Sequence, residues 1–151
     1  MVFQAPLIVT ADMEKSVRFY KEVLGLDVIM DFGANKTLRG GIVLQTEETF
    51  REFLGRPITF GGNDAELYFE EDDFDAFAEA LRGSGAEYVH PVKEHAWGQR
   101  VVRFCDPDGH IIEVGENMKS VCRRFYDSGM TREQVALRMD VPTDYVDACL
   151  E

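Results

Sequence analysis

The chain has 151 residues, a hydrophobic fraction of 45% and a formal net charge of −12. A chain of this length fits one domain that buries roughly two-thirds of its unfolded surface. The acidic balance argues against nucleic acid and anionic membrane as partners, because both need a basic surface. The three cysteines have no CxxC spacing, so neither a disulfide framework nor a zinc knuckle is indicated. We therefore expect a cytoplasmic globular protein that is neither exported nor anchored.

The first part of the chain predicts the order strand, helix, strand, strand, strand. Residues 7–10 are a short run typical of a strand. Asp12 is the expected N-cap of a helix, and Gly25 is its expected end. Further extended segments are expected at 27–31 and within 37–45.

The second part of the chain begins after a clear break. We expect a short helix or compact loop over 46–54, and the glycine-rich stretch 61–64 separates the two halves. A strand over 65–70 follows, and then a helix that is capped by Asp72 or Asp73.

A predicted β-hairpin over 101–116 ends this half, after a loop or irregular edge over 90–98. Its turn has Asp106 and Pro107 at the first two positions and Gly109 at the fourth, which is typical of a type I turn. Judged from the hairpin alone, Glu113 is expected to be a solvent-facing acid, which is the common position of glutamate in antiparallel strands. The alternative is that its carboxylate lines a pocket.

The two halves form an internal repeat of about sixty residues. Asp12 and Asp72 correspond as helix caps, and 24–29 corresponds to 84–89. We therefore predict an α+β fold built from two βαβββ modules, at about 1–60 and 61–117.

Three segments carry a resemblance to a known group: DMEKSVRFYKEVLGL at 12–26, FEEDDFDAF at 69–77 and FCDPDGHIIE at 104–113. Over residues 1–117 the chain resembles the vicinal oxygen chelate superfamily, which contains glyoxalase I, bleomycin-resistance proteins and extradiol dioxygenases. The resemblance implies paired βαβββ modules whose curved sheet encloses a ligand-binding cleft. It also implies pairing of two chains, so we expect a homodimer.

The resemblance implies metal-ligand positions that fall at Ala5, Gln45, Glu66 and Glu113. A one-residue slip of the first strand puts Gln4 in place of Ala5, and the sequence leaves this choice open. Oxygen donors of this kind suit Mg²⁺ or Mn²⁺ better than Zn²⁺. The set is incomplete, so we expect either no cofactor or a divalent metal ion held by Glu66, Glu113 and Gln45, with Glu113 as the candidate catalytic residue.

A ligand site without metal is the alternative. Trp97 is the only tryptophan, and with His90 and His95 it offers a ring for stacking and imidazoles for proton transfer; the alternative is a rim tryptophan beside two solvated histidines. The family pattern implies that Phe104 packs on the helix, which puts Arg103 beside Glu113, where it forms an ion pair or receives an anionic ligand group. Two further side chains are candidates for the same cleft: Arg39 and Tyr68.

Residues 118–151 predict three short helices, and the stretch 129–146 resembles a helix-turn-helix. Thr131 and Gln134 match a capping box. From Thr131 onward the chain carries two arginines and five acidic residues, and DNA phosphate would repel the excess negative charge. We therefore expect this extension to pack on the body of the protein or on a second chain.

Three functions remain open from the sequence. The first is a small-molecule-binding protein of the bleomycin-resistance kind, without the complete metal site. The second is a metal-dependent lyase, isomerase or dioxygenase that uses Glu113 and Glu66. The third is a ligand sensor that signals through its C-terminal helices. No motif identifies the ligand or decides whether the protein is an enzyme.

Overall fold

The computed structural model describes residues 1–151, which form eight strands and six helices. The chain divides into two compact units. The first unit contains Met1–Ala65 and Cys105–Ile111, and the second contains Glu66–Phe104 and Ile112–Glu151. Each unit has one four-stranded sheet, and the element order confirms the predicted pair of βαβββ modules.

The elements of the first unit are β1 (Leu7–Thr10), α1 (Met13–Leu24), β2 (Val28–Asp31), β3 (Asn35–Leu38), β4 (Val43–Thr46) and α2 (Glu47–Leu54). Its strands lie in the order β1-β4-β3-β2. Strand β1 is parallel to β4, and β3 is antiparallel to both of its neighbours. Parallel strands need a long crossover connection, and the one between β1 and β4 contains α1.

Helix α1 begins and ends where the sequence predicts. The Asp12 side chain accepts a hydrogen bond from the Lys15 backbone N–H at 3.0 Å, which satisfies one of the free donors of the first turn. Gly25 ends the helix with φ of 68°, a left-handed conformation that favours glycine.

The predicted turn of the hairpin is present and is tied to α1. The Gly109 N–H donates to the Asp106 carbonyl oxygen at 3.1 Å, which closes the turn. The carboxylate of Asp106 accepts from the backbone N–H groups of Asp108 and His110, both at 2.9 Å, from the Tyr20 hydroxyl at 2.9 Å and from His110 Nδ1 at 2.8 Å. This buried charge therefore has four donors, and it fixes the hairpin turn on the first unit.

The elements of the second unit are β5 (Glu66–Glu71), α3 (Phe74–Gly83), β6 (Glu87–Glu94), β7 (Arg100–Cys105), β8 (Ile111–Glu116), α4 (Met118–Asp127), α5 (Arg132–Met139) and α6 (Thr143–Leu150). Its strands lie in the order β5-β8-β7-β6. The cap of α3 is Asp73, which accepts from the Ala76 N–H at 3.1 Å. Apolar side chains of α3, β7 and β8 form the buried core of this unit: Phe74, Ala78, Leu81, Val102, Phe104, Ile112 and Val114.

Of the two alternatives for 90–98, a loop or an irregular edge, the loop is wrong for residues 90–94, because β6 continues to Glu94. The charged and proline-containing sequence suggested a loop. Strand β6 is at the edge of its sheet, where the missing N–H of Pro91 costs little in sheet hydrogen bonds.

The three C-terminal helices form where the sequence places them, and the capping box of Thr131 and Gln134 at the start of α5 is confirmed. These helices share a buried apolar cluster: Val121, Cys122, Phe125, Val135, Ala136, Met139, Val146 and Cys149. Helix α1, the longest helix, has 12 residues, and no helix of the protein has the length and apolar character needed to cross a membrane.

The hydrogen bond between His110 and Asp106 predicts a pH-dependent stability. The bond raises the pKa of His110 above its ordinary value of 6.5. Its stabilisation is therefore complete below pH 6.5 and is lost as the pH rises through the folded-state pKa. We expect the free energy of unfolding, measured by urea titration, to fall by on the order of 1 kcal/mol between about pH 6 and about pH 9.

His110→Gln is the control for this experiment, because it removes the titrating group. In this variant we expect most of the decrease in the free energy of unfolding at alkaline pH to be absent. An equal decrease in the variant would assign the pH dependence to other groups.

Candidate functional site

A charged cluster on the sheet of the second unit is the candidate site, and Arg103 lies at its centre. Strand β8 lies between β5 and β7, so these three neighbouring strands supply Glu66, Glu113 and Arg103. Arg103 donates to Glu66 from Nε at 2.7 Å and from Nη2 at 3.2 Å. Its Nη2 also contacts Oε2 of Glu113. One guanidinium therefore bridges both carboxylates that the resemblance placed at metal-ligand positions.

Burial makes this bridge important for Glu113. The side chain of Glu113 is 6% exposed and that of Arg103 is 23% exposed, so the solvent-facing alternative for Glu113 is wrong. Oε2 of Glu113 has no regular hydrogen bond, and the guanidinium supplies the positive charge beside it. Glu66 is more open, with its side chain 34% exposed. The hydrogen bond from Arg103 holds the pKa of Glu66 below its usual range.

His90 on β6 completes the coordination of Arg103. Its Nδ1 lies 2.8 Å from the Pro91 carbonyl oxygen, and its Nε2 lies 3.3 Å from Nη1 of Arg103. A carbonyl only accepts, so Nδ1 carries the proton, and a guanidinium only donates, so Nε2 accepts. These partners place a proton on Nδ1 and leave Nε2 as the acceptor.

A stacked aromatic pair in the same unit is connected to a series of hydrogen-bonded polar side chains. The rings of His95 and Trp97 are stacked, with centroids 4.2 Å apart and planes inclined by 21°. Trp97 Nε1 donates to Gln99 Oε1 at 3.2 Å, and Gln99 Nε2 donates to the Tyr68 hydroxyl at 2.8 Å. Tyr68 in turn donates to Glu70 at 3.1 Å. Burial raises the pKa of Tyr68 and keeps the hydroxyl protonated as a donor.

The charged cluster and the aromatic pair are neighbours. Glu66 and Tyr68 lie two residues apart on β5 and therefore on one face of the sheet, and Gln99 joins Tyr68 to Trp97. The structure therefore brings together five residues that the sequence indicated, beside the two carboxylates: Tyr68, His90, His95, Trp97 and Arg103.

Sequence reasoning missed Gln99 and Gly115. Gln99 is 3% exposed and links Trp97 to Tyr68. A Cβ at Gly115 would lie 2.6 Å from Gln99 Nε2 and 3.3 Å from a ring carbon of Tyr68, so only glycine leaves room for this link. The available sequence signal was the alternation of Glu113 and Gly115 on one face of β8.

Two predicted residues belong to the first unit. Gln45 is buried on β4, where Oε1 accepts from Asn35 Nδ2 at 2.7 Å and Nε2 donates to the Thr49 hydroxyl. Its amide is therefore used within that unit. Arg39 is exposed after β3, and its backbone N–H donates to the Asp27 carbonyl at 2.8 Å.

The residues of the cluster do not fit a resident divalent ion. Both oxygens of Glu66 accept from Arg103, and the buried oxygen of Glu113 faces the same guanidinium. Mg²⁺ and Mn²⁺ need several oxygen ligands that are free to bind. A cation of the protein itself already occupies the position between the two carboxylates.

A second group of possible ligands lies in the hairpin turn, where Asp106, Asp108 and His110 bring ligand atoms within 4.8 Å of one another. Hydrogen bonds occupy these carboxylates. Asp108 accepts from the Ala11 N–H at 3.0 Å and from the Ser16 hydroxyl at 3.1 Å. This group therefore joins the turn to α1 and has a structural role.

The element order and the paired sheets define a member of the vicinal oxygen chelate superfamily, in agreement with the resemblance of the motifs. The model of the Glyoxalase-like domain matches residues 3–119. The chain therefore belongs to the Glyoxalase-like domain family.

Three relatives illustrate the range of the similarity. The uncharacterized protein YraH of Bacillus subtilis is 30% identical over 113 residues, which cover 68% of this chain and 88% of YraH. A protein of unknown function from Agrobacterium tumefaciens has 38% identity and a TM-score of 0.71, over 78% of this chain and 94% of its own. A glyoxalase-related enzyme from Fulvimarina pelagi has 25% identity and a TM-score of 0.64, over 78% and 90%.

The family match ends at residue 119, close to the start of α4. Nearly all of α4, α5 and α6 therefore lie outside the matched domain. These helices are an addition to the domain in this chain.

The bridge predicts a large effect of Arg103→Met. The variant leaves Glu113 buried without its positive partner, so we expect a loss of roughly 3–5 kcal/mol in the free energy of unfolding at neutral pH. The double variant Arg103→Met/Glu113→Gln removes the uncompensated charge, and we expect it to recover a large part of this loss. Urea unfolding followed by circular dichroism measures both.

Arg82→Met is the matched control. Arg82 on α3 is 68% exposed and pairs with Glu79, which is 72% exposed, so we expect a change below about 1 kcal/mol. Equal instability of the single and double Arg103 variants would show that Arg103 does not compensate the charge of Glu113.

Proposed function

We propose that the protein binds a small organic molecule on the sheet of its second unit, without a resident divalent ion. The proposal is supported by one observation above all, the guanidinium of Arg103 between the carboxylates of Glu66 and Glu113. This ion pair replaces the metal as the positive centre of the site. The ligand then contacts the exposed parts of the cluster and the aromatic pair.

The charges of the cluster favour a neutral or cationic ligand. Two carboxylates face one guanidinium, so these three side chains have a net charge of −1. The donors of Arg103 are directed at Glu66, Glu113 and His90. An anionic ligand group would have to displace Glu66, whereas a ligand with N–H donors finds the partly exposed Glu66 oxygens as acceptors.

The aromatic pair favours a planar group in the ligand. Trp97 is 38% exposed, and the stacked His95 ring and the hydrogen bond to Gln99 fix its orientation. A ring that is already oriented loses little conformational freedom when a ligand stacks on it.

The metal-dependent alternative requires Arg103 to release both carboxylates. The contacts of Glu66 and Glu113 therefore favour the binding function over a metal-dependent lyase, isomerase or dioxygenase.

Three probes of matched size test the charge preference: benzamidine, benzamide and benzoate. The chain has one tryptophan, so its single indole N–H signal in a ¹H–¹⁵N spectrum reports on Trp97. We expect benzamidine to bind more tightly than benzamide, and benzoate to bind most weakly. We expect Glu66→Gln to weaken benzamidine by about twofold to fivefold, the effect of one partly exposed ion pair.

Glu79→Gln, which removes an exposed carboxylate on α3, is the control and should leave all three affinities unchanged. Tightest binding of benzoate would contradict the charge assignment, and no response of Trp97 to any probe would contradict the site. Stoichiometric Mn²⁺ uptake that Glu113→Ala abolishes would contradict the metal-free proposal.

We also propose that two chains pair, as the family resemblance implies. Strand β2 is at the edge of its sheet, and it and the following residue expose three large apolar side chains: Ile29 at 57%, Met30 at 50% and Phe32 at 70%. An exposed apolar edge strand favours pairing with another chain.

Light scattering should give twice the 17.2 kDa of one chain, and Met30→Lys should shift the population towards 17.2 kDa. A wild-type mass of one chain would contradict pairing.

A further inference from the structure

The C-terminal helices bind the segment that carries the aromatic pair. This segment, residues 94–99, connects β6 to β7. Arg138 of α5 donates from Nη1 to the Ala96 carbonyl and from Nη2 to the Glu94 carboxylate at 2.9 Å. Arg124 of α4 donates from Nη2 to the Gly98 carbonyl at 2.6 Å. Two arginines outside the family match thus hold the backbone on both sides of Trp97.

The ring of Phe125 on α4 keeps these two arginines in place. The guanidinium carbons of Arg124 and Arg138 lie 4.8 and 4.9 Å from its centroid, which is the distance of a cation–π contact. The same ring packs on Gly98, where a Cβ would lie 2.3 Å from it and where φ is +90°. The ring, the arginines and the segment therefore fit together only with glycine at this position.

Arg124 also anchors the helices to the sheet. Its Nε and Nη2 donate to the carboxylate of Glu116 at 3.2 and 3.0 Å. Glu116 ends β8, is 4% exposed and accepts from Arg100 as well. Burial acts to raise the pKa of Glu116, but the two arginines outweigh burial and lower it. The ion pair with Glu116 thus fixes α4 on the sheet, and from this position the C-terminal helices hold residues 94–99.

The segment has few backbone hydrogen bonds of its own. The His95 N–H donates to the Gln99 carbonyl and the Gly98 N–H donates to the His95 carbonyl, both at 2.8 Å. The carbonyls of Ala96 and Gly98 have their partners in the helical unit. A six-residue segment with this little internal support has other accessible conformations when external contacts are removed.

We propose that the C-terminal helical unit is part of the ligand site, and that Arg138 and Arg124 are positioning residues that set the orientation of the stacked His95 and Trp97 rings. The ligand half of this proposal rests on the proposed function. Because the coupling is reciprocal, a ligand on Trp97 also stabilises the contact between the segment and α5. The helices that the sequence suggested as a signalling element thus have a direct mechanical connection to the site.

Arg138→Met tests the positioning role in the ligand-free protein. The variant keeps most of the apolar stem and removes the donors to Ala96 and Glu94. We expect a shifted indole N–H signal and roughly twofold faster quenching of Trp97 fluorescence by acrylamide, since the ring gains mobility. Arg138→Lys keeps the charge with one donor group, and we expect an intermediate effect.

Arg132→Met is the matched control on the same helix. Arg132 pairs with Asp147, and its side chain is 50% exposed, so we expect no change in the Trp97 signal or its quenching. The folded state of each variant is checked by circular dichroism. A folded Arg138→Met protein in which Trp97 behaves as in the wild type would overturn the positioning role.

Benzamidine then tests the coupling to the site. We expect Arg138→Met to weaken its affinity by roughly twofold to tenfold, the effect of ordering one side chain on binding, and Arg132→Met to leave it unchanged. In the wild type, benzamidine should shift backbone amides of α5, and this shift should be lost in Arg138→Met. Unchanged affinity and an unchanged α5 response in Arg138→Met would overturn the coupling.

The two proposals fail in different ways. If the wild type binds no probe while Arg138→Met still mobilises Trp97, the proposed function is wrong and the positioning role stands. If benzamidine binds the wild type and Arg138→Met changes neither the indole N–H signal of Trp97 nor its quenching, the positioning role is wrong and the proposed function stands.

Discussion

The bidentate contact between Arg103 and Glu66, continued to Glu113, is the interaction on which the second unit depends. It allows a carboxylate to be buried in the middle of a sheet, which would otherwise cost several kcal/mol. It also determines which carboxylate is accessible to a ligand, because the oxygens of Glu66 are partly exposed while Glu113 is enclosed. At the two positions where the resemblance implies metal ligands, this chain carries an internal ion pair.

The first unit uses a carboxylate in a different way. Asp106 receives four donors from its own turn and from α1, so its charge is spread over hydrogen bonds and has no arginine partner. The two acids of the hairpin, Asp106 and Glu113, therefore have different roles. Asp106 closes a turn and fixes it on a helix, and Glu113, seven residues later, balances a cation on the sheet.

Much of the fold was predictable because its signals are local. The caps Asp12 and Thr131, the end at Gly25 and the turn after Asp106 each depend on residues within a few positions, and the structure confirms them. The continuation of β6 past Pro91 was missed, since an edge strand tolerates residues that a central strand rejects. The pairing of Arg103 with Glu113 was one of two alternatives, and it rested on strand alternation together with the family pattern. The contribution of Glu66, the role of Gln99 and the arginine contacts of the C-terminal helices were out of reach, because they join residues 17 to 44 positions apart.

Gly98 has a consequence for how this protein tolerates sequence change. It lies in an irregular connection between two strands, where variation is normally accepted, although Gly98 itself is buried. The Phe125 ring occupies the volume of any side chain at this place, and the backbone has a conformation that other residues rarely adopt. In a library of single substitutions, this loop position should therefore be depleted as strongly as a core residue. Relatives without the C-terminal helices are free of this constraint, so glycine here and a phenylalanine on α4 should be gained or lost together.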